Sequence, residues 1–212
     1  MKFGYFCNTT NWTHKPYHQL LDETKEITEY CDKHKWNSIW FTEHHFNHEG
    51  MESCTNPLML GADAAARTKN IRIGQAANVI TFHNPIRLAE DIATLDQLSK
   101  GRVEVGVARG VYGREAINLN KEADLKDQAK NFRLFAETLE ILKKAWSEKF
   151  FNHDGEFYTY PSPKGTFFLV TSDLLFLYAS NLIFRALTVG IHMITLILFS
   201  AAHSIDLIPS TT

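Results

Sequence analysis

Glu43-His44, Ala76-Ala77 and Arg109 are the residues of this 212-residue chain whose types and spacing suit chemistry. An imidazole titrates near neutrality and can accept or give a proton. A guanidinium carries a fixed charge and a fork of donors that matches a phosphate or a carboxylate. Two alanines in a row let backbone approach a flat ligand closely. Each group lies just past a run that reads as a β-strand: Ser38–Thr42, Ile71–Gln75 and Val103–Ala108. The steps from 43 to 76 and from 76 to 109 are both 33 residues. Repeated strand–helix units of that length wind into a parallel (β/α) barrel, which does its chemistry at the carboxyl ends of its strands. The residues alone leave plainer roles open. His44 could simply pack in its loop, the alanines could fill a crowded layer, and Arg109 could pair with Glu104 or Glu115.

The pattern around these groups predicts the elements that position them. Lys2–Cys7 reads as a first strand and Asn8–Pro16 as a loop. Leu20, Leu21, Ile27 and Tyr30 recur with helical period from Tyr17 to about His34. Asn37–Thr42 is a second strand; Ile39, Trp40 and Phe41 are consecutive, as in a parallel strand buried on both faces. Glu43–Ser53 reads as a loop. Asn56-Pro57 opens a helix that runs to Arg67. Ile71–Ala76 is a third strand, continued by Asn78-Val79-Ile80. Pro85 starts a helix that Gly101 is expected to cap. Arg102–Ala108 is a fourth strand, followed by a loop with Gly110 and Gly113. A long amphipathic helix spans about Asp127–Glu148, and Asp154-Gly155 marks a hairpin. The order βαβαβαβα suits half of an eight-unit barrel or an open doubly wound sheet. No Gly-x-Gly-x-x-Gly follows the first strand, so a dinucleotide fold has no support.

Composition narrows the partners. Net charge is -2, which gives no reason to expect nucleic acid or an anionic membrane. Cys7, Cys31 and Cys54 have no metal-type spacing and suit a reduced, cytoplasmic protein. The amino terminus does not read as a secretory signal. His44, His45, His48 and Glu49 form a histidine-rich loop, but no His-x-His pair occurs in it and neighbours point in opposite directions along extended backbone. No metal is expected.

Several ordered stretches carry a resemblance. They are Met1–Gly4, Trp40–Phe46, Ile73–Val79, His83–Asp91, Leu95–Arg102 and Gly106–Gly110. Together they resemble the bacterial luciferase-like family of flavin-dependent monooxygenases, from Met1 to about Pro163. The resemblance implies a (β/α) TIM-type barrel that binds reduced FMN at the top of its strands. It implies oxygenation of a small, apolar organic substrate by dioxygen, with a flavin reductase supplying reduced FMN and a homodimer as the favoured assembly. It makes His44 the catalytic histidine, with Glu43 as its neighbour at the flavin. It places a non-proline cis peptide at Ala76-Ala77 under the flavin ring, and Arg109 on the phosphate. The family often adds a second phosphate-contacting arginine early in the next helix. Here that stretch, Asp127–Arg133, has none clearly at the matching place. Three rivals stand beside this reading. They are a deazaflavin-dependent oxidoreductase of the same superfamily, a non-catalytic flavin-binding partner subunit, and a metal-dependent barrel hydrolase.

The chain changes character near Pro163. Beyond it only Lys164, Asp173, Arg185 and Asp206 are charged. The expected organisation is therefore an incomplete barrel of about four βα units over 1–163 and an unmatched hydrophobic tail over 164–212. A complete barrel usually needs about 250 residues. The tail reads as the product of truncation or a frameshift, as a membrane anchor through residues 182–202, or as the end of a shortened relative. Half a barrel exposes a sheet edge and an inner apolar face, which tail helices would cover only in part. Weak FMN binding by the chain alone is the expectation.

Overall fold

A computed structural model describes residues 2–46, 53–161, 170–171, 182–184 and 197–201. Four strands and their helices alternate: β1 Gly4–Cys7, α1 Tyr17–Lys33, β2 Ser38–Phe41, α2 Pro57–Arg67, β3 Arg72–Val79, α3 Pro85–Ser99 and β4 Val103–Ala108. A short helix, α4 Gly113–Leu119, and a long one, α5 Gln128–Ser147, follow. Two of the helices start where an Asn-Pro pair predicts. Asn56 accepts the Met59 N–H at 2.9 Å and Asn84 accepts the Arg87 N–H at 3.1 Å, each with proline in the first turn. Asp127 caps α5 in the same way, through the Lys130 N–H at 2.9 Å.

Two expectations need correction. The cap of α3 is Lys100, left-handed at φ 58°, and Gly101 (φ 79°) follows it. The stretch around Gly113 is not all loop. It holds α4, whose seven residues are too few for a periodic apolar pattern to show.

The first four strands lie side by side in sequence order, all parallel. With right-handed connections, that unbroken order puts every helix on one face. A doubly wound sheet would break the order. The helix-covered face holds Ile39, Phe41, Ile73, Val105 and Val107, all buried. Trp146 locks α5 onto α3 by donating its indole N–H to the Ala89 carbonyl at 3.2 Å. The other face carries Phe6, Trp40, Gly74 and Glu104 in one register row. Phe6 is 58% exposed there. The Trp40 indole lies over Gly74, where a Cβ would fall 2.2 Å from Cε3, and donates to Ser38 Oγ at 2.9 Å.

The remaining strands are short. β5 Phe150–Phe151 pairs with β8 Val170–Thr171, and β6 His153–Asp154 pairs with β7 Thr159–Tyr160 as the expected hairpin. β9 Leu182–Phe184 and β10 Ile197–Ala201 extend the main sheet, with β10 antiparallel to β4. A strand, not a helix, therefore covers the β4 edge, because a sheet edge offers unpaired N–H and C=O groups. The rest of the proposed 182–202 anchor lies outside the described residues. Among the described residues, no helix is long and apolar enough to cross a membrane.

The amino ends of the strands are tied down by two side chains. Asp32 accepts the N–H groups of Lys69, Asn70 and Ile71 at 3.1, 2.9 and 2.8 Å. Burial pushes its carboxyl up, but these bonds and Arg102 outweigh that and hold it below the usual range. Arg102 gives its donors to the Ser99, Ile71, Ala65 and Thr68 carbonyls and to Thr68 Oγ1, at 2.7 to 3.2 Å.

Candidate active site

The carboxyl ends of β2, β3 and β4 hold every residue singled out for chemistry. Because β3 lies between β2 and β4, Ala76-Ala77 is flanked by the strand leading to His44 and the strand leading to Arg109. The Ala76-Ala77 peptide bond is cis, and the β3–β4 register shifts between Gln75 and Asn78 at the same point.

Glu43 is 2% exposed, and both of its oxygens accept hydrogen bonds. Oε2 accepts the Val79 N–H at 2.6 Å; Oε1 accepts from His45 Nε2 at 3.0 Å and His83 Nε2 at 2.8 Å. Burial pushes this carboxyl up, but the bonds from His45, His83 and Val79 prevail and leave it below its ordinary value. For His83 burial pushes down, and the Glu43 carboxylate reverses this and raises it. Glu43 thus ties the loop after β2 to the end of β3 and to the turn before α3.

The carboxylate beside His44 is Glu115, from the first turn of α4. Its Oε1 lies 3.5 Å from His44 Nδ1 and accepts the His45 N–H at 2.7 Å. Its Oε2 is buried without a hydrogen-bond partner among the described residues. The Tyr112 ring lies 5.5 Å from the His44 ring. The loop is held from below by the His44 N–H, which donates to the Cys54 carbonyl at 2.8 Å. Burial pushes the Cys54 thiol up to about 12, so it stays protonated and inert there.

Arg109 follows β4, and Gly110 turns the chain at φ 89° directly after it. The Arg109 carbonyl is fixed by Thr81 Oγ1 at 3.0 Å and Asn131 Nδ2 at 3.3 Å. Its guanidinium leans on the Phe132 ring, 5.8 Å away, and Nη1 reaches Asn131 Oδ1 at 3.2 Å and Gln128 Oε1 at 3.4 Å. Neither predicted salt-bridge partner is taken up with it. Glu104 pairs with Arg72, and Glu115 sits at His44 and His45. Nε of Arg109 is buried with no hydrogen-bond partner among the described residues. Early in α5, Arg133 is spent on Glu156 at 2.8 and 3.0 Å.

Sequence reasoning pointed to His44, Glu43, Ala76, Ala77 and Arg109, and all stand at this rim. It missed the work of His83 and Glu115. His83 lay in view, in the quoted His83-Asn84-Pro85 stretch, but its partner is 40 residues away. Among the described residues, no group of three or more His, Cys, Asp or Glu could hold a metal ion; His48 and Glu49 lie outside them.

A parallel (β/α) sheet with these groups at its carboxyl rim defines a barrel-type α/β fold whose site sits at the strand ends. Residues 1–173 match the model of the luciferase-like monooxygenases, and the chain belongs to that family. It is 35% identical over 162 residues to the alkanal monooxygenase beta chain of Photorhabdus laumondii subsp. laumondii, covering 76% of this chain and 48% of that one. It is 33% identical over 143 residues to the oxygenase component of the flavin-dependent trigonelline monooxygenase of Acinetobacter baylyi, covering 68% and 38%. Its fold resembles the oxygenating constituent of 3,6-diketocamphane monooxygenase of Pseudomonas putida in complex with FMN. The TM-score is 0.68 and the identity 24%, with 75% of this chain and 43% of that chain covered. The chain spans about half the length, or less, of the relatives it matches.

Proposed function

We propose that this chain carries the FMN-binding half of a flavin-dependent monooxygenase site. In this reading Arg109 holds the phosphate, the Ala76-Ala77 backbone lies against the flavin ring, and His44 moves a proton. The supporting observation is a guanidinium at the barrel rim with a buried, unused donor and no carboxylate among the described residues. An unpaired, half-buried cation of this kind favours an anion, and phosphate fits its fork. The residues therefore fit FMN. Reduced FMN, when bound, supplies the electrons that activate dioxygen. The chain's own residues do the rest. Glu115 Oε1 stands 3.5 Å from Nδ1 on one side of the His44 ring, and that imidazole is the group that moves a proton. Glu43 holds the strand ends in register through His45, His83 and Val79. Phe82 and Tyr112 place aromatic rings beside His45 and His44.

A small organic substrate, a reductase that delivers reduced FMN, and a homodimer complete the proposal, as does a cytoplasmic location. The beta chain of an alkanal monooxygenase and an oxygenase component are, by their names, parts of larger systems. A second reading is a non-catalytic flavin-binding subunit, since the matched beta chain is by its name one of the chains of a larger enzyme. Rapid mixing of the chain and reduced FMN with dioxygen tests both. At chain concentrations that saturate the flavin, reoxidation follows a course distinct from that of free FMN, and His44→Ala alters it without changing flavin affinity. A course identical to free flavin contradicts the enzyme reading. A distinct course untouched by His44→Ala favours the partner subunit. Binding of a deazaflavin in preference to FMN would move the chain to the hydride-transferring branch.

A further inference from the structure

Among the described residues, most arginines are committed. Arg67 pairs with Asp63 and Glu29, Arg72 with Glu104, Arg87 with Asp91 and Arg133 with Glu156. Arg102 is spent on carbonyls. Two meet no carboxylate or main-chain carbonyl through their side chains, and they flank Tyr112 in sequence: Arg109 and Arg114. Arg114, in the first turn of α4, is half-buried, and its Nε is buried without a hydrogen-bond partner among the described residues. Glu115, its neighbour in sequence, does not answer it; that carboxylate faces His44 and the His45 N–H.

The position of Arg114 says which anion it would meet. Its Cζ lies 5.0 Å from the centre of the Tyr112 ring. The same ring is 5.5 Å from the His44 imidazole. Arg109 instead leans toward the start of α5, on Phe132, Asn131 and Gln128. The two cations thus rest on different aromatic rings, Arg109 on Phe132 and Arg114 on Tyr112. An anion at Arg109 sits at the α5 end, whereas one at Arg114 sits one aromatic ring away from the proton-transferring histidine. The molecule that reaches His44 is the one being transformed.

We propose that Arg114 receives a carboxylate carried by the substrate, whose body extends from there toward His44. This rests on the flavin-enzyme reading and deepens it, since it names an organic carboxylate as the substrate class. A guanidinium braced on an aromatic ring keeps its donor edge free for two parallel hydrogen bonds to a carboxylate.

The test uses benzoate and its neutral counterpart benzamide, titrated into the intact chain with and without FMN and followed by ligand-observed NMR. Benzoate binds at least about tenfold tighter than benzamide, the range expected for a charge-assisted bond. Arg114→Gln abolishes that preference, and Arg114→Lys retains only part of it. FMN affinity stays within about twofold of wild type in both variants. Undetectable benzoate binding, equal binding of the two probes, or a preference that survives Arg114→Gln overturns the proposal. So does a loss of FMN affinity in Arg114→Gln, which would assign the cation to the flavin phosphate. If Arg114→Gln does not fold, an unchanged preference in Arg114→Lys overturns it equally. A preference dependent on Arg114 in a chain that binds no FMN would uphold the carboxylate site and sink the flavin reading.

Discussion

Arg102 and Arg109 stand at opposite ends of β4 and spend their charge in opposite ways. At the amino end, Arg102 makes five hydrogen bonds, four of them to main-chain carbonyls of three neighbouring segments. At the carboxyl end, Arg109 reaches two side-chain amides, at 3.2 and 3.4 Å, and keeps a buried Nε without a partner among the described residues. The same side chain closes the fold at one rim and leaves bonding capacity unspent at the other. The acids follow suit. Asp32 at the amino end is saturated by three backbone N–H groups, whereas Glu115 at the carboxyl end keeps one buried oxygen without a partner among the described residues. Stability is concentrated at the bottom of the strands and unsatisfied polarity at the top, as a barrel-type site requires.

The comparison is broken most easily at the bottom. Arg102→Ala strands carbonyls of Ser99, Ile71, Ala65 and Thr68 in a partly buried setting. We expect a loss of about 2–4 kcal/mol in urea unfolding; a loss below about 1 kcal/mol would show that the network holds little. Gly74→Ala comes next. The added Cβ would sit within 2.6 Å of three atoms of the Trp40 ring, and Gly4 and Ser38 limit where that ring can go. Overpacking of this kind costs about 1–3 kcal/mol, and a shift in tryptophan emission should accompany it. Unchanged stability and emission would mean that Trp40 is free to swing away.

The smallest expected effect on stability depends on pH. Glu43 titrates below its ordinary value in the folded chain, so its contribution is full above about pH 4.3 and fades as pH falls through the folded value. His83 titrates above its ordinary value, so its contribution is full below about pH 6.5 and fades as pH rises through the folded value. The pair is therefore worth most between these limits. Screening by solvent at half-exposed His83 reduces it to about 1 kcal/mol. His83→Gln should cost that much near the middle of the window and less on the alkaline side. A penalty that does not change with pH would show that packing, not charge, holds His83.

Much of this division was legible in the residues. Consecutive apolar strands, two Asn-Pro helix starts and the even spacing of 43, 76 and 109 gave the order of units and the rim where they converge. The pairings across the rim were not legible. Glu43 looks like a partner for its neighbour His44, yet backbone alternation turns it inward, where His83 and the Val79 N–H wait. Glu115 reaches His44 from the short helix α4, and seven residues starting at Gly113 carry no periodic signal. The tail kept its meaning hidden for a different reason. Its composition is largely apolar, so strand and helix patterns look alike; of its described pieces, Leu182–Phe184 and Ile197–Ala201 prove to be strands of the main sheet, and Val170–Thr171 pairs with β5.

Anaerobic titration of reduced FMN into the wild-type chain and into Arg109→Ala tests the central claim, that the carboxyl rim holds its donors in reserve for a phosphate. The account predicts weak binding by wild type, a further loss of at least about tenfold in Arg109→Ala, and unfolding midpoints that coincide. Equal affinity in the two proteins, or an Arg109→Ala chain that unfolds as readily as Arg102→Ala, would contradict it.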